Sequence, residues 1–335
     1  MKKKVVFLMG NKMYQLTPAG RFCLLFLSLV LSLVIAELIV RIAVNFPLEK
    51  EYLRFYCYNH NKIPPDKYDK DLFWKPVEEF KGIRYAKRKP PNTFRIICIG
   101  DSVTQGDAGK GRLLPQAQTY VYKLEQLLRN KNNGMKKVEI INAGSGGYSS
   151  LQGRRYLKKK LWKYEPDLVI SWFGINDSYY SLFYEDKQQK VSSAGKAAGK
   201  NVLERSRLYL FVKNYYLIKN AMAHPLVRVP PNDYYENCEG MVLFAKEKNF
   251  KIVFIVPFEV DSGNYSIKRL WEYQEKLDVL SNTYDCKVIN LEESLEGPNL
   301  KKLFIDLCHP NEAGNTIIAQ AIYTQLNEQM TEGAE

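Results

Sequence analysis

The sequence predicts a three-layer α/β/α domain on a parallel five-stranded sheet, preceded by a transmembrane helix. Three observations predict it. Short apolar runs of strand length alternate with amphipathic segments, the runs end in turns of small and polar residues, and an uncharged apolar stretch precedes them all. Strands buried on both faces read as continuous apolar runs, and the helices that cover them read as amphipathic.

The N-terminal segment comes first. Residues 1–21 carry Lys2, Lys3, Lys4, Lys12 and Arg21 with no acidic residue, and Phe22 to Ala36 is then uncharged. Apolar character resumes through Leu38 to Val40 and Ile42 to Val44, broken only by Glu37 and Arg41. Phe22 to Arg41 is about 20 residues, or about 30 Å of helix, which matches one bilayer core. Glu37 and Arg41 have the i,i+4 spacing that lets them neutralise each other near the outer end, where the arginine can snorkel. The basic flank is expected to stay in the cytoplasm, making 1–21 a cytoplasmic N-terminus, 22–46 a single-pass anchor, and the rest extracytoplasmic. Val34-Ile35-Ala36 also offers small residues to a signal peptidase, and a buried or interfacial helix is a third reading; the apolar run continuing past Ala36 favours a retained anchor.

Residues 47–93 read as a linker or approach segment, aromatic and basic, interrupted by Pro64-Pro65, Pro76 and Pro90-Pro91. A regular pattern follows over 94–328. Strands are expected at Phe94–Ile99, Val138–Asn142, Leu168–Phe173, Lys251–Val256 and Lys287–Asn290. Helices are expected near Thr119–Asn130, Ser150–Tyr164, Cys238–Lys248, Ile267–Thr283 and Glu312–Leu326. Residues 178–237 form an insertion with a basic, small-residue stretch from Gln188 to Lys200. Its Tyr179, Tyr180, Phe183 and Tyr184 suit packing on the sheet edge, stacking against sugar rings or lining an acyl groove.

The formal charge of +13 favours anionic headgroups or acidic glycans, and no ordered nucleic-acid motif is present. Six cysteines at unrelated spacings contain no CxxC, which leaves zinc and thioredoxin-like chemistry unsupported. Cys98 reads as a small core residue, and a disulfide among the others is open.

Four segments carry chemistry, each at an expected strand end. Ser102, in Gly100-Asp101-Ser102, stands on the turn after the first strand, where open α/β sheets place ligands. A serine hydroxyl needs a base to become a nucleophile. Of the three histidines, His60 lies in the approach segment and His224 in the insertion, whereas His309 follows the fifth strand three residues after Asp306. That spacing lets the carboxylate hold Nδ1 and turn Nε2 outward. Asn142 to Tyr148 contains Gly144, Gly146 and Gly147, any of which could aim a backbone N–H at a developing oxyanion. Asn176, in Gly174-Ile175-Asn176-Asp177, could add a side-chain amide. Neither the dinucleotide fingerprint nor the P-loop fits the glycine spacing, and no Gly-x-Ser-x-Gly elbow occurs.

Together, Gly100-Asp101-Ser102-Val103-Thr104, the loop ending in Gly147, Gly174-Ile175-Asn176-Asp177 and Asp306 to Asn311 resemble the four sequence blocks of the SGNH hydrolases, also called GDSL esterases and lipases. The resemblance covers roughly residues 94–328, in the family's order. It implies a flavodoxin-like fold, Ser102 as nucleophile, His309 as base and Asp306 as its orienting acid. It also implies an oxyanion hole of the Ser102 and Gly147 N–H groups and the Asn176 amide, with neither metal nor organic cofactor. The expected function is a membrane-anchored esterase acting on O-acyl or acetyl groups of an envelope glycan or lipid. The alternatives are an O-acetyltransferase module and a non-catalytic assembly or binding protein.

Overall fold

The computed structural model describes residues 6–9, 12–15, 17–43, 68–76, 79–109, 112–130, 137–181, 184–188, 203, 206–223, 226–261, 267–295 and 300–332. Asn132-Asn133-Gly134, which reads as a turn between the first helix and the second strand, the segment 47–67, Phe183, His60, His224 and the stretch from 189 to 200 fall outside them. The chain divides into two compact units, 1–53 with 197–224, and 54–196 with 225–335.

The first unit holds an antiparallel pair, Val6–Met9 with Lys12–Gln15, helix α1 (Pro18–Ala43) and, from the insertion, a helix at Arg207–Ala223. Helix α1 is long and apolar enough to cross a membrane. Every residue from Phe22 to Ile35 is exposed.

The second unit is built on five parallel strands: β1 (Thr93–Gly100), β2 (Lys137–Gly144), β3 (Leu168–Trp172), β4 (Lys251–Ile255) and β5 (Lys287–Ile289). Their spatial order is β2-β1-β3-β4-β5, the flavodoxin-like order whose switch point lies between β1 and β3. The expected five-stranded parallel sheet is therefore present. In chain order the helices are α2 (Ser102–Gln105), α3 (Tyr120–Asn130), α4 (Ser150–Lys159), α5 (Ile175–Ser178), α6 (Arg207–Ala223, in the first unit), α7 (Pro231–Lys248), α8 (Trp271–Tyr284) and α9 (Glu312–Glu332).

Alternation along the strands feeds two cores. Ile97 and Ile99 join Tyr156, Leu157, Met241 and Leu277 beneath α4, α7 and α8, while Ile96 and Cys98 join Val121, Leu124, Ile318 and Ile322 beneath α3 and α9. Successive strand residues point to opposite faces, so one run of apolar residues serves both layers. Parallel register sets Gly100 beside Gly144 and Trp172, bringing the carboxyl ends of β1, β2 and β3 level.

Several boundaries differ from expectation. Helix α7 starts at Pro231 rather than near Cys238, because proline suits the first turn. Helix α8 starts at Trp271, since Ile267–Arg269 instead pairs with Phe258–Val260. The helix expected over Ser150–Tyr164 ends at Lys159 and continues as a 3₁₀ turn, Leu161–Tyr164. Part of the approach segment belongs to the core: Leu72 and Phe80 are buried, with the Phe80 ring edge-on to Tyr85 and Tyr164. Cys23, Cys98, Cys238, Cys286 and Cys308 are free thiols.

Candidate active site

Ser102 opens α2 directly beyond β1. Asp101 caps that helix, its Oδ1 accepting the Val103 N–H at 2.9 Å, and Gly106 closes it in a left-handed conformation. The turn is tight because β1 and β2 run side by side up to it: a Cβ on Gly144 would stand 2.2 Å from the Gln105 nitrogen. Glycine at 144 is thus required by close approach of two backbones.

His309 reaches this turn from the loop between β5 and α9. Its Nε2 lies 2.8 Å from Ser102 Oγ, and its Nδ1 lies 2.8 and 2.9 Å from the two oxygens of Asp306. Asp306 Oδ1 also accepts the backbone N–H groups of Cys308 and His309, so the short loop is wound around its own carboxylate. Burial raises the Asp306 pKa, yet the hydrogen bond and charge of His309 outweigh it and hold it at about 2. Burial pulls His309 down, but Asp306 prevails and leaves it above the ordinary histidine value. The site therefore favours an imidazolium beside a carboxylate, the charge state that a base acquires when it takes a proton.

Asp306, Cys308 and His309 also present atoms close enough to suit a metal. Here both ring nitrogens are already engaged by Asp306 and Ser102. Burial pushes the Cys308 thiol well above its usual range, which keeps it protonated.

The turn after β2 separates its three glycines by hydrogen bonding. Gly144 N–H donates to Asn142 Oδ1 at 3.0 Å and Gly146 N–H to Gln105 Oε1 at 2.8 Å. Ser145 donates to Gly100 O and Tyr148 to Ser145 O. Among the described residues only the Gly147 N–H of this turn is left without such a bond, and Gly147 holds φ at +77°. Its carbonyl accepts Arg228 Nη1 at 2.8 Å.

Asn176, in α5 beyond β3, donates one amide hydrogen to Asp101 Oδ2 at 3.0 Å. Burial pushes Asp101 up to about 6, against the Val103 N–H, His309 and Asn176, all of which favour its ionised form. Asp177 is buried behind the site and accepts the Ser150 N–H and hydroxyl; burial raises it to about 7. The structure thus gathers Ser102, His309, Asp306, Asn176 and Gly147 at the carboxyl edge of β1, β2 and β3.

Sequence reasoning missed the supports. Arg228 and Asp186 are fully buried, paired at 2.9 Å, with Arg228 also donating to Gln152 Oε1 at 3.1 Å and Asp186 accepting the Ser149 hydroxyl at 2.6 Å. Both come from the expected insertion, whose two stubs pair at Tyr180–Ser181 and Leu226–Val227. No local pattern flags such a pair. The one available signal is composition: an arginine flanked by Leu226, Val227 and Val229.

Among solved structures, the chain is similar to a lipase/acylhydrolase from Enterococcus faecalis, with 19% identity over 70% of this chain and 96% of that one and a TM-score of 0.47. It is similar to an acetyl xylan esterase, at 18% identity over 69% and 99% with a TM-score of 0.45. An acetylxylan esterase from Geobacillus stearothermophilus matches at 17% identity over 68% and 92%, TM-score 0.45. No curated protein matches. The sequence pattern of one family matches residues 98–317, from Cys98 in β1 to Ile317 in α9, which is more than half of the chain and includes all four strand-end segments; this chain belongs to the GDSL-like lipase/acylhydrolase family.

Proposed function

We propose that this hydrolase-family chain is a membrane-anchored serine esterase that cleaves O-acyl groups, acetyl among them, from an envelope glycan or lipid. The observation that carries the reading is the line from Ser102 Oγ through His309 Nε2 to the Asp306 carboxylate, with contacts of 2.8 Å at each step. In the reaction, Ser102 attacks the ester carbonyl while His309 takes its proton, and Asp306 holds the resulting imidazolium. The tetrahedral oxyanion meets the N–H groups of Ser102 and Gly147 and the second amide hydrogen of Asn176. The Ser102 N–H opens a helix and so has no intrahelical acceptor. The intermediate collapses by expelling the alcohol, which takes its proton from His309, and leaves Ser102 acylated; water deprotonated by the neutral His309 then attacks the acyl group and releases the acid and free Ser102. Fixed donors of this kind contribute a factor of about 10²–10³ each to turnover.

The anchor is α1, retained in the bilayer, and the basic residues before it favour a cytoplasmic N-terminus with the second unit outside. A cationic chain in that place meets acidic polymers and headgroups. The test is hydrolysis of a short-chain aryl ester by the full chain in detergent, beside Ser102→Ala. Activity lost in the variant supports the esterase; equal inactivity of two folded proteins sinks it in favour of acyl transfer or binding.

A further inference from the structure

Helix α6 opens against a carboxylate that belongs to α1. Glu37 Oε1 accepts the Arg207 N–H at 2.9 Å, and Oε2 accepts the Leu208 N–H and the Ser206 hydroxyl, both at 2.8 Å. The Ser206 Oγ in turn accepts the Tyr209 N–H at 3.0 Å, and Leu210 N–H reaches Ser206 O at 3.1 Å. Arg41 Nε completes the set on Glu37 at 2.7 Å. The first N–H groups of a helix have no intrahelical acceptor and are met by capping side chains, water or ligands. Here each N–H of the first turn has a protein acceptor and needs no water, which is compatible with a place in a membrane interface.

Two further observations concern α6 itself. Val40 of α1 is buried and Ala36 and Glu37 are partly covered at the end of α1 that α6 touches, although the remainder of that helix is almost wholly exposed. On α6, Phe211, Val212, Tyr215 and Tyr216 are exposed, and their spacing puts them on one side. The Lys213 ammonium lies 5.7 Å from the Tyr209 ring centre. Tyrosines with apolar neighbours and lysines are the composition of a helix lying at a membrane surface.

We infer that α6 is a second membrane element, an interfacial helix that lays Phe211, Val212, Tyr215 and Tyr216 into the lipid at the level of Glu37. The inference rests on the reading of α1 as a retained bilayer-crossing helix. The partner is phospholipid, and Glu37 is the latch that joins the two helices. A carboxylate inside an apolar helix is costly unless paired; its position is explained when it caps a neighbouring helix at the interface.

The test is photocrosslinking of the full chain in vesicles of phosphatidylcholine and phosphatidylglycerol, with p-benzoylphenylalanine placed singly at Leu31, Tyr215, Tyr216 or Lys213. Lipid adducts from Tyr215 and Tyr216 comparable to those from Leu31, and weaker ones from Lys213, are expected. The Glu37→Ala variant should keep the Leu31 adducts and lose those at Tyr216. Adducts from Leu31 with none from either tyrosine would overturn the inference while leaving the anchor in place. Crosslinks from the tyrosines to protein instead of lipid would overturn it in favour of a protein contact. Absence of adducts at Leu31 would instead overturn the anchor reading, and this inference with it. Unchanged labelling at Tyr216 in Glu37→Ala would remove the latch.

Discussion

The Arg228 guanidinium holds the Gly147 carbonyl at 2.8 Å while its other arm grips Asp186 at 2.9 Å. Restraining the peptide after Gly147 restrains the dihedrals of Gly147 itself, and with them the direction of the one N–H in that turn that is not otherwise engaged. Replacing Arg228 by Gln strands the Asp186 carboxylate in the interior, a change that costs about 3–5 kcal/mol. Urea unfolding should show that loss. Turnover per folded molecule should drop at least about tenfold with KM little changed, approaching the loss of an oxyanion donor. An Arg228→Gln protein with wild-type turnover would refute the strut.

Acid should silence the enzyme from an unusually high pH. As the proposed base, His309 acts only when neutral, and Asp306 raises its pKa despite burial. The acid limb of kcat/KM should therefore have its midpoint above about 6.5, the unperturbed histidine value. Asp306→Asn removes the charge responsible, so the limb should move to lower pH and the plateau should fall by about 10²–10⁴. A limb that stays put in that variant would mean another group controls it.

Stability should run the other way from activity. Burial raises Asp101 to about 6 and Asp177 to about 7 from 3.8, so the folded state binds more protons than the unfolded chain across that window. Stability is then lost as pH rises from about 4 through 7. His309, also raised, adds stability below about 6.5 that disappears as pH climbs through its folded pKa. Asp306, lowered, contributes above about 4 and is lost only as pH falls through about 2. Urea midpoints at pH 5 should exceed those at pH 8, and Asp177→Asn should flatten the difference.

Phe80 tests where the folded unit begins. It is buried between Tyr85 and Tyr164, ahead of β1. Phe80→Ala should cost about 3–5 kcal/mol, the range for emptying an aromatic core site. A loss below about 1 kcal/mol would make residues 79–92 a loose covering.

The strands were legible because Ile96, Ile97, Cys98 and Ile99 must satisfy two cores at once, which writes an unbroken apolar run into the chain. The strand-end turns were legible as Gly, Ser, Asn and Asp in short clusters, and geometry brings the singled-out Ser102, His309 and Asp306 within hydrogen-bonding reach. The choice among Gly144, Gly146 and Gly147 was not legible, since it depends on Gln105 and Asn142 occupying two of the N–H groups. Nor were Phe80, whose surroundings carry no periodicity, and the Ile267–Arg269 pairing, which interrupts an otherwise helical pattern. Arg228 and Asp186 meet across 42 positions of irregular chain, and nothing local announces a long-range ion pair.

Ser102 and His309 are 207 positions apart and meet only when β5 and the loop ahead of α9 are in place. A ribosome delivers Ser102 long before His309. On the proposed function, a nascent chain held at the membrane by α1 stays inert through most of its synthesis, and a truncated product ending before Asp306 binds lipid yet cleaves nothing. On that reading timing is written into the order of the segments: the bilayer is engaged first, and acyl chemistry becomes available after the domain has closed around its sheet.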